Sequence, residues 1–553
     1  MSNIAKNTGK KIPSRMTFIV STLMTLIFLF LIAYVALPAF SLVSAGFWSY
    51  IVLVLITLSN FALIIDKIKR TSSLKYISII TGSILIIFGL LGLFSSPLFN
   101  TETYKNAMAL EVGNFEEDFP DIRSEMNYDM LDLDTAIRLG DRVVGSIPNA
   151  SWYNVDDEYN LILYQGEQYR LSPLNYGGFF KYMSANDSGI PGYVLVNVRT
   201  GDAKFVNSAQ PIHYSPSGYF SKNLNRHLRV QFPSYVFDTS FLEIDETGKP
   251  YWITGVKRST AGLFGAKVVS SFILTDASTG ESKEYLVSER PEWIDHVFSL
   301  DYLTELAYWH FEYENGVINF SKTGVQRTSY YYRYNEDDEF ETNANFYGYN
   351  SLVNKDGEVC FYTGLTAANM TESNTGFITM NTATGVVKYY DIPGAEESSA
   401  QSVAEGIVQN LGYVATYPII VNIAGNPTYL MNLKDKAGII QRTALVNVQN
   451  YSVATVGQNF ATTLSDYLIK LGMEESNNTK VSPTGELLQI TGEIAEIHQV
   501  EMDGTTYFFY VIEDKLFKAS IKIDEMQVLL KTGDKVTVSY YEEAINIVQA
   551  ISK

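Results

Sequence analysis

The chain has 553 residues, a formal net charge of −19 and a single cysteine, Cys360. Residues 1–75 carry a net charge of +7, so the remaining residues carry −26. An acidic surface of this size repels phosphate backbones, which argues against nucleic acid as a partner. One cysteine excludes an internal disulfide and any cysteine-cluster metal site.

Three apolar runs open the chain, at residues 17–40, 47–65 and 76–98. Each is near the roughly 20 residues that a membrane-spanning helix needs. Lysines and arginines precede the first run and separate the second from the third, and loops rich in these residues stay cytoplasmic. We therefore predict three transmembrane helices in a bacterial plasma membrane, with a cytoplasmic N-terminus and everything after about residue 99 extracytoplasmic. The lipid bilayer is the first expected partner.

An acidic, weakly patterned connector follows, and an internal repeat comes after it. Residues 197–201, 276–280 and 381–385 each place Asn or Asp three residues before Thr-Gly, between two strands of alternating polarity. Such a turn needs a positive φ at the glycine. Matched strand openings lie upstream, and a degenerate fourth copy begins near Gly425 without the Thr-Gly turn. Each repeat is therefore predicted as an antiparallel meander accompanied by a helix.

The C-terminal 70 residues contain five short strand patterns, which suit a small closed barrel of the OB type. Residues 484–553 hold twelve acids and six bases, which argues against the nucleic-acid role of many such barrels. The predicted fold class is α+β throughout the part after the membrane helices. The predicted domains are a membrane domain (1–99), an acidic connector (100–133), a first repeat domain (134–240), a second repeat domain (241–340), a third and degenerate fourth repeat domain (341–472), a linker (473–483) and the OB-like barrel (484–553).

The repeated pattern Asp/Asn-x-x-Thr-Gly-x-x-Lys-x-aromatic resembles the PepSY-type repeats of bacterial envelope proteins. Residues 276–285 and 381–390 match it, and residues 197–206 match it more loosely. This resemblance implies inhibition or regulation of a peptidase. The whole chain is also similar to uncharacterised multi-pass envelope proteins of Gram-positive bacteria, through residues 190–193, 217–228, 248–252, 262–265 and 291–293. That second resemblance implies no activity and no catalytic residues.

No metal or cofactor site is predicted. His296 and His310 fall in one predicted helix that starts near Pro291, which separates them by roughly 21 Å, too far to share a zinc ion. The acidic runs 156–158 and 336–339 lack the glycine and the ligand spacing of calcium loops, so we interpret them as solvated loops. No set of side chains indicates a catalytic site by its spacing, because such residues need not be close in sequence.

A partner-binding surface is the one site that the sequence suggests. Tyr and Arg are enriched where proteins bind one another, although Tyr also favours strands. Phe264, at the tip of the turn 262–265, is also available to contact a partner. The predicted surface residues are Phe264, Tyr330, Tyr331, Tyr332, Arg333, Tyr334, Tyr347 and Tyr349.

The repeats and the missing catalytic pattern together predict a non-catalytic binding or scaffold protein, anchored in the membrane of the bacterial cell envelope. Its expected partner is another envelope protein or a cell-wall component, and a homo-oligomer is left open. Two alternatives remain: a regulator or inhibitor of an envelope peptidase, and a hydrolase whose site is assembled from residues distant in sequence.

Overall fold

The computed structural model describes residues 15–69, 73–124, 131–145, 147, 149–156, 158–185, 188–329, 348–368, 373–473, 488–502, 505–513, 515–541 and 546–553. The chain divides into two compact units, Met1–Leu471 and Gly472–Lys553. The predicted linker 473–483 lies almost entirely outside the described residues.

The first unit opens with three helices: α1 (Arg15–Ala36), α2 (Ala45–Lys69) and α3 (Ser73–Ser95). The prediction that they span a membrane is wrong. Within the described residues, no single helix combines the length and apolar character that a crossing requires. Among the described residues, the shorter apolar helices are Thr22–Ala36 and Ala45–Ser59, each below the roughly 20 residues that a crossing needs. One pair of consecutive helical segments, Ile79–Ser95 and Pro97–Lys105, has the length and composition of a membrane span when taken together, but the two segments are bent by 42°.

The predicted localisation depended on those spans, so the multi-pass placement in a plasma membrane is wrong with them. The sequence argument counted apolar residues along each run and took each run as one continuous helix. The third run instead contains a break, because a new helix begins at Pro97 and is bent by 42° from the segment before it. Counting apolar residues along that run did not reveal the break.

The predicted connector contributes to the fold instead of standing apart. It forms α4 (Pro97–Lys105), β1 (Ala109–Val112) and α5 (Phe115–Asp118). β1 pairs in parallel with residues 386–389, which belong to the third repeat. The Asp118 carboxylate accepts hydrogen bonds from Lys388 Nζ at 2.9 Å and from the Tyr390 hydroxyl at 3.1 Å. An acidic residue of the predicted connector, Asp118, thus binds the segment to Lys388 and Tyr390 of that repeat.

Four units of similar design follow, here called repeats 1 to 4. Repeat 1 contains α6 (Leu133–Val144), β2 (Tyr153–Val155), β3 (Asn160–Tyr164), β4 (Glu167–Tyr176), α7 (Phe179–Ala185), β5 (Ile190–Asn197) and β6 (Ala203–Ile212). The Asp132 side chain caps α6 by accepting the N–H of Thr135. The sheet order is β3-β4-β5-β6, with β2 on the far end of β4.

Repeat 2 has the same plan with fewer additions. It contains α8 (Leu224–Gln231), β7 (Val236–Ile244), β8 (Pro250–Ser259), β9 (Lys267–Asp276) and β10 (Ser282–Leu286), paired antiparallel in chain order. The turn between β9 and β10 needs its glycine. Gly280 has φ +80°, and a Cβ atom there would lie 2.5 Å from the Tyr214 ring.

Repeats 3 and 4 complete the first unit. Repeat 3 contains α9 (Leu300–Glu312), β11 (Gln326–Thr328), β12 (Asn350–Val353), β13 (Val359–Ala367), β14 (Ser373–Asn381), β15 (Val386–Tyr390) and β16 (Gly394–Ala395). Repeat 4 contains α10 (Glu397–Ile407), β17 (Val414–Ala415), β18 (Ile419–Ile423), β19 (Asn426–Lys434), β20 (Ile440–Asn447), β21 (Ala454–Gly457) and α11 (Phe460–Lys470). Both keep the meander, as β12-β13-β14-β15 and β18-β19-β20-β21.

One buried residue occupies the same place in every repeat, directly after the Asn or Asp that starts the second hairpin turn. We call it the turn residue, and its four copies are Val198, Ala277, Thr382 and Val448. Each is at most 2% exposed. Each N–H donates to a carbonyl at the start of the repeat's second long strand, with N···O distances of 3.0, 3.3, 3.1 and 3.0 Å. Each carbonyl accepts an N–H from the segment that leads into the repeat's own helix.

These acceptor bonds are close to uniform. The donors are Leu131, Tyr214, Phe298 and Ala395, at 3.0, 3.0, 2.9 and 2.8 Å. Repeat 4 keeps the arrangement although it lacks Thr-Gly, because the Asn447 side chain still accepts the N–H groups of Gln449 and Asn450. The hydrogen bonds, and not the glycine, are therefore what the four copies share.

The repeats pack through a shared apolar core. One cluster joins Leu171 of repeat 1 to Trp252 of repeat 2. A second joins Phe272 of repeat 2 to Ile378 of repeat 3, and a third joins Phe377 of repeat 3 to Tyr429 of repeat 4. Neighbouring repeats therefore bury each other's faces, as stacked repeats do.

The second unit is a closed five-stranded barrel of β22 (Leu488–Met502), β23 (Thr505–Ile512), β24 (Lys515–Ser520), β25 (Lys535–Tyr541) and β26 (Asn546–Ser552). The strands close in the order β22-β23-β24-β26-β25, and β24 and β26 are parallel. This is the Greek-key order of an OB-type barrel. Phe517, Tyr510 and Val538 fill its centre and are not exposed.

The turn geometry gives a stability prediction. Replacing Asn381 by Ala removes the acceptor for the N–H groups of Ala383 and Thr384, both at 2.9 Å. We expect the free energy of unfolding to fall by about 1–3 kcal/mol, because buried donors lose their partner. Scanning calorimetry measures this as a lower thermal midpoint. Asn207→Ala, at an exposed asparagine on β6, is the control, and equal midpoints for the two variants would contradict the assigned role.

Candidate functional site

A cavity of about 540 Å³ lies between repeats 1 and 2. Its floor is made by the buried residues Pro173, Leu242 and Trp252. Its mouth is formed by exposed residues that include Glu158, Asn225 and Thr239. The volume falls within the range of about 300–1,000 Å³ that is typical of ligand pockets. We call it the acidic cavity, because three carboxylates line it: Asp156, Glu158 and Asp238.

One of these carboxylates, Asp238, lies in a β-bulge. The pairing of β7 with β8 shifts register between Phe237 and Ser240, which leaves Asp238 and Thr239 unpaired in the ladder. Bulges of this kind redirect a side chain and occur often beside functional sites. The Asp238 carboxylate binds Lys257 Nζ at 2.9 Å and accepts the Ser299 hydroxyl at 2.9 Å. Its charge is therefore largely balanced within the protein.

The other two carboxylates come from the loop between β2 and β3. Asp156 is fixed by neutral donors: its Oδ2 accepts Asn175 Nδ2 at 2.6 Å, and its Oδ1 accepts the N–H of Glu158 at 3.1 Å. A second bond from the Ser172 hydroxyl to the Asp156 carbonyl, at 2.8 Å, holds the loop against β4. The loop thus keeps its position without any cation bound to Asp156 in the described part of the chain.

Glu158 lies in an unfavourable field. Partial removal of water raises the pKa of its carboxyl above the ordinary value, and the negative charges of Asp156 and Asp301 raise it further. Among the described residues, no lysine or arginine has an opposing effect on that pKa. A carboxylate in this position gains free energy when a positive group arrives beside it.

The acidic cavity also has an aromatic and apolar interior. The indole N–H of Trp252 donates to the Tyr214 carbonyl at 2.8 Å, which fixes the ring in the wall. Phe237 and Leu242 add apolar surface beside it. Carboxylates at the mouth with aromatic surface beneath suit the alkyl stem and charged head of a lysine or arginine side chain.

A metal ion is not indicated. Among the described residues, no three His, Cys, Asp or Glu side chains are placed to hold one.

A second group of titratable residues is enclosed at the junction of repeats 2 and 3. His296 Nδ1 and Glu243 Oε1 are 2.7 Å apart, and both side chains are 1% exposed. Asp295 lies beside them, with Oδ2 accepting the N–H of Leu163 at 2.7 Å. Burial lowers the pKa of His296 to about 4. Burial and the charge of Glu243 raise the pKa of Asp295 to about 7. Neither His296 nor Glu243 lines the acidic cavity, so we assign this group a structural role.

The histidines correct one prediction. The predicted continuous helix from Pro291 through both histidines is wrong. The chain turns at Ser299, whose side chain caps α9, so of His296 and His310 only His310 lies in this helix. His310 Nδ1 lies 2.9 Å from the Lys105 carbonyl, away from His296. Sequence periodicity could not show this, since the apolar residues before Ser299 continue the helical pattern without forming a helix.

Of the predicted surface residues, the structure describes Phe264 and Tyr349. The Phe264 ring packs on Phe88 and Trp48, with centroid distances of 4.8 and 6.3 Å, and its N–H donates to the Ser95 hydroxyl. Its contacts are therefore to the N-terminal helices of the same chain. Tyr349 is half-buried and meets Phe361 edge-on. The remaining members lie outside the described residues, and for them the surface stays a prediction: Tyr330, Tyr331, Tyr332, Arg333, Tyr334 and Tyr347.

Sequence reasoning missed the acidic cavity. It noticed residues 156–158 but interpreted them as a solvated loop, and it did not single out Asp238. The missing information is the bulge and the packing of β7 against β3 and β4, which bring residues about 80 positions apart together. A polar Asp-Thr-Ser run inside an otherwise apolar strand, at residues 238–240, is the signal that would have found it.

The comparisons with known proteins identify no family. No family model matches the chain, and no curated protein matches it. Among solved structures, an exo-β-1,3-galactanase from Clostridium thermocellum is similar at a TM-score of 0.19 and 10% identity, covering 72% of this chain and 73% of that one. A similarity this low indicates neither a shared fold nor a shared function.

The buried group predicts a pH effect. Asp295 has a folded-state pKa of about 7, above its ordinary 3.8, so its contribution to stability is present below pH 4 and is lost as pH rises to 7. Asn cannot ionise and can still accept the N–H of Leu163. We therefore expect Asp295→Asn to match the wild type at pH 4 and to exceed its stability by about 2–4 kcal/mol at pH 8.

Thermal melts across this pH range measure the effect. Glu246→Gln, which removes an exposed carboxylate from the β7–β8 turn, should follow the wild type at every pH. An Asp295→Asn variant that is equally destabilised at pH 4 and pH 8 would show that the carboxyl contributes through shape alone.

Proposed function

We propose that this chain is a non-catalytic binding protein whose acidic cavity receives a positively charged segment of another protein. The observation that supports this most directly is Glu158, a carboxylate near Asp156 and Asp301 whose charge no cation offsets in the part of the chain that the structure describes. A lysine or arginine entering the cavity supplies the missing charge. The aromatic wall at Trp252 then covers the alkyl part of the same side chain.

The net charge of the whole chain also supports a basic partner. A net charge of −19 attracts basic partners over distances comparable to the Debye length and raises their rate of encounter. Local geometry then provides selectivity, because Asp238 is already neutralised by Lys257, and Asp156 and Glu158 remain available. A single cationic side chain is the simplest occupant for two neighbouring carboxylates.

The resemblance to PepSY-type repeats suggests which partner to test first. Those repeats imply a peptidase as the regulated protein, so we propose that the basic segment belongs to a peptidase or to its substrate. The helix-plus-meander plan of repeats 1 to 4 is compatible with that resemblance. Adding the purified full chain to a panel of peptidases and following their cleavage rates tests this narrower proposal, and unchanged rates would count against it.

A hydrolase is the second candidate function. Its support is also Glu158, because an elevated pKa is what a general acid requires at neutral pH, and the Asp156 carboxylate lies beside it. The two candidates differ in what happens to the ligand. A hydrolase cleaves its substrate and loses that activity in Glu158→Gln, whereas a binding protein holds a cationic peptide without cleaving it.

The binding proposal predicts the effect of removing charge. Titration calorimetry with a lysine-containing peptide should show an affinity about 3- to 10-fold weaker for Glu158→Gln, and weaker again when Asp156→Asn is added. The cause is the loss of one and then two carboxylates from the mouth. A peptide with glutamate in place of lysine should not bind the wild type.

Glu246→Gln is the matched control, since it removes the same charge from an exposed turn of repeat 2 outside the cavity lining. It should bind the peptide as the wild type does. If the Glu158→Gln and Glu246→Gln variants lose affinity equally, net charge alone attracts the peptide and the cavity is not the site.

A further inference from the structure

Arg170 has an unusual position for an arginine. It lies on β4 of repeat 1 and is 4% exposed. Its Nη1 donates to the Tyr159 carbonyl at 3.2 Å, and its buried Nε has no hydrogen-bond partner. A buried guanidinium with an orphaned N–H costs free energy unless an acceptor is supplied from elsewhere.

The nearest carboxylate does not supply that acceptor. Asp132 lines the same small cavity as Arg170, but Lys434 Nζ bridges it to Asp134. The remaining Asp132 contacts go to Thr135 at the start of α6. Within the described residues, Arg170 therefore has no ion pair. Burial lowers the pKa of its guanidinium, and the charge of Asp132 offsets this effect in part.

A cavity of about 30 Å³ adjoins the guanidinium. One water molecule needs only roughly 10–15 Å³ measured in this way, so there is room for a larger occupant. The wall is polar on several sides, with the hydroxyls of Ser351 and Thr416 and the amide of Asn350. Repeats 1, 3 and 4 all contribute to this wall, so an occupant would contact three repeats at once.

We propose that this cavity is a site for a small inorganic anion, held by the Arg170 guanidinium and the surrounding hydroxyl and amide groups. The anion supplies the acceptor that Nε lacks. Chloride is the probe of choice, because it is monovalent, compact and a hydrogen-bond acceptor in every direction. The site is separate from the acidic cavity and does not depend on the proposed function.

The test compares thermal midpoints of the full chain in sodium chloride and in sodium gluconate at equal ionic strength. A bound anion stabilises the folded state by mass action, so the wild-type midpoint should rise by about 2–5 °C in chloride. Arg170→Met removes the guanidinium and keeps much of the side-chain volume, so its midpoint should be the same in both salts. Arg258→Met, at an exposed arginine paired with Glu284, should retain the wild-type response.

A wild-type midpoint that is equal in the two salts overturns the proposal, as does a chloride effect that Arg170→Met retains. If Arg170→Met does not fold, crystals of the wild-type chain soaked in bromide decide the matter. A bromide peak within hydrogen-bonding distance of the Arg170 guanidinium supports the anion site. A cavity that holds only water in those crystals contradicts it.

Discussion

The hydrogen bonds of the turn residue determine how each repeat is assembled. Its N–H is bound to the second long strand, and its carbonyl is bound to the segment that enters the helix. Helix and meander are thereby fixed to each other at a buried point, where an unpaired backbone group would be costly. The same arrangement occurs at Val198, Ala277, Thr382 and Val448, so the four sheets present equivalent faces and can bury them against their neighbours.

The acidic cavity follows from that stacking. Repeats 1 and 2 meet along β3, β4 and β7, and the bulge at Asp238 and Thr239 opens this seam toward solvent. The loop that carries Asp156 and Glu158 crosses the opening. The loop keeps its position despite the repulsion among these carboxylates, because Asn175 and Ser172 donate hydrogen bonds to Asp156. The site therefore combines a rigid frame with an unbalanced charge, which is the condition for selective binding of a cation.

The sequence predicted what is local and missed what is distant. The hairpin turns could be predicted because Asp276 and its counterparts bind N–H groups two and three residues away, and the barrel strands were visible as short alternating segments. The pairing of β1 with β15 joins residues more than 270 positions apart, and His296 reaches Glu243 across 53. No periodicity encodes such contacts. The prediction of membrane helices failed for a different reason, since among the described residues no single helix is both long and apolar enough, and run length did not show the break between α3 and α4.

The central claim is that Glu158 is an unbalanced carboxylate that a cationic ligand neutralises. Proton release on binding tests it most directly, measured by titrating a lysine peptide near the raised pKa of Glu158 in buffers of different ionisation enthalpy. A positive group beside Glu158 lowers its pKa, so protons should be released by the wild type and not by Glu158→Gln. Proton uptake, or equal release by both proteins, would contradict the account.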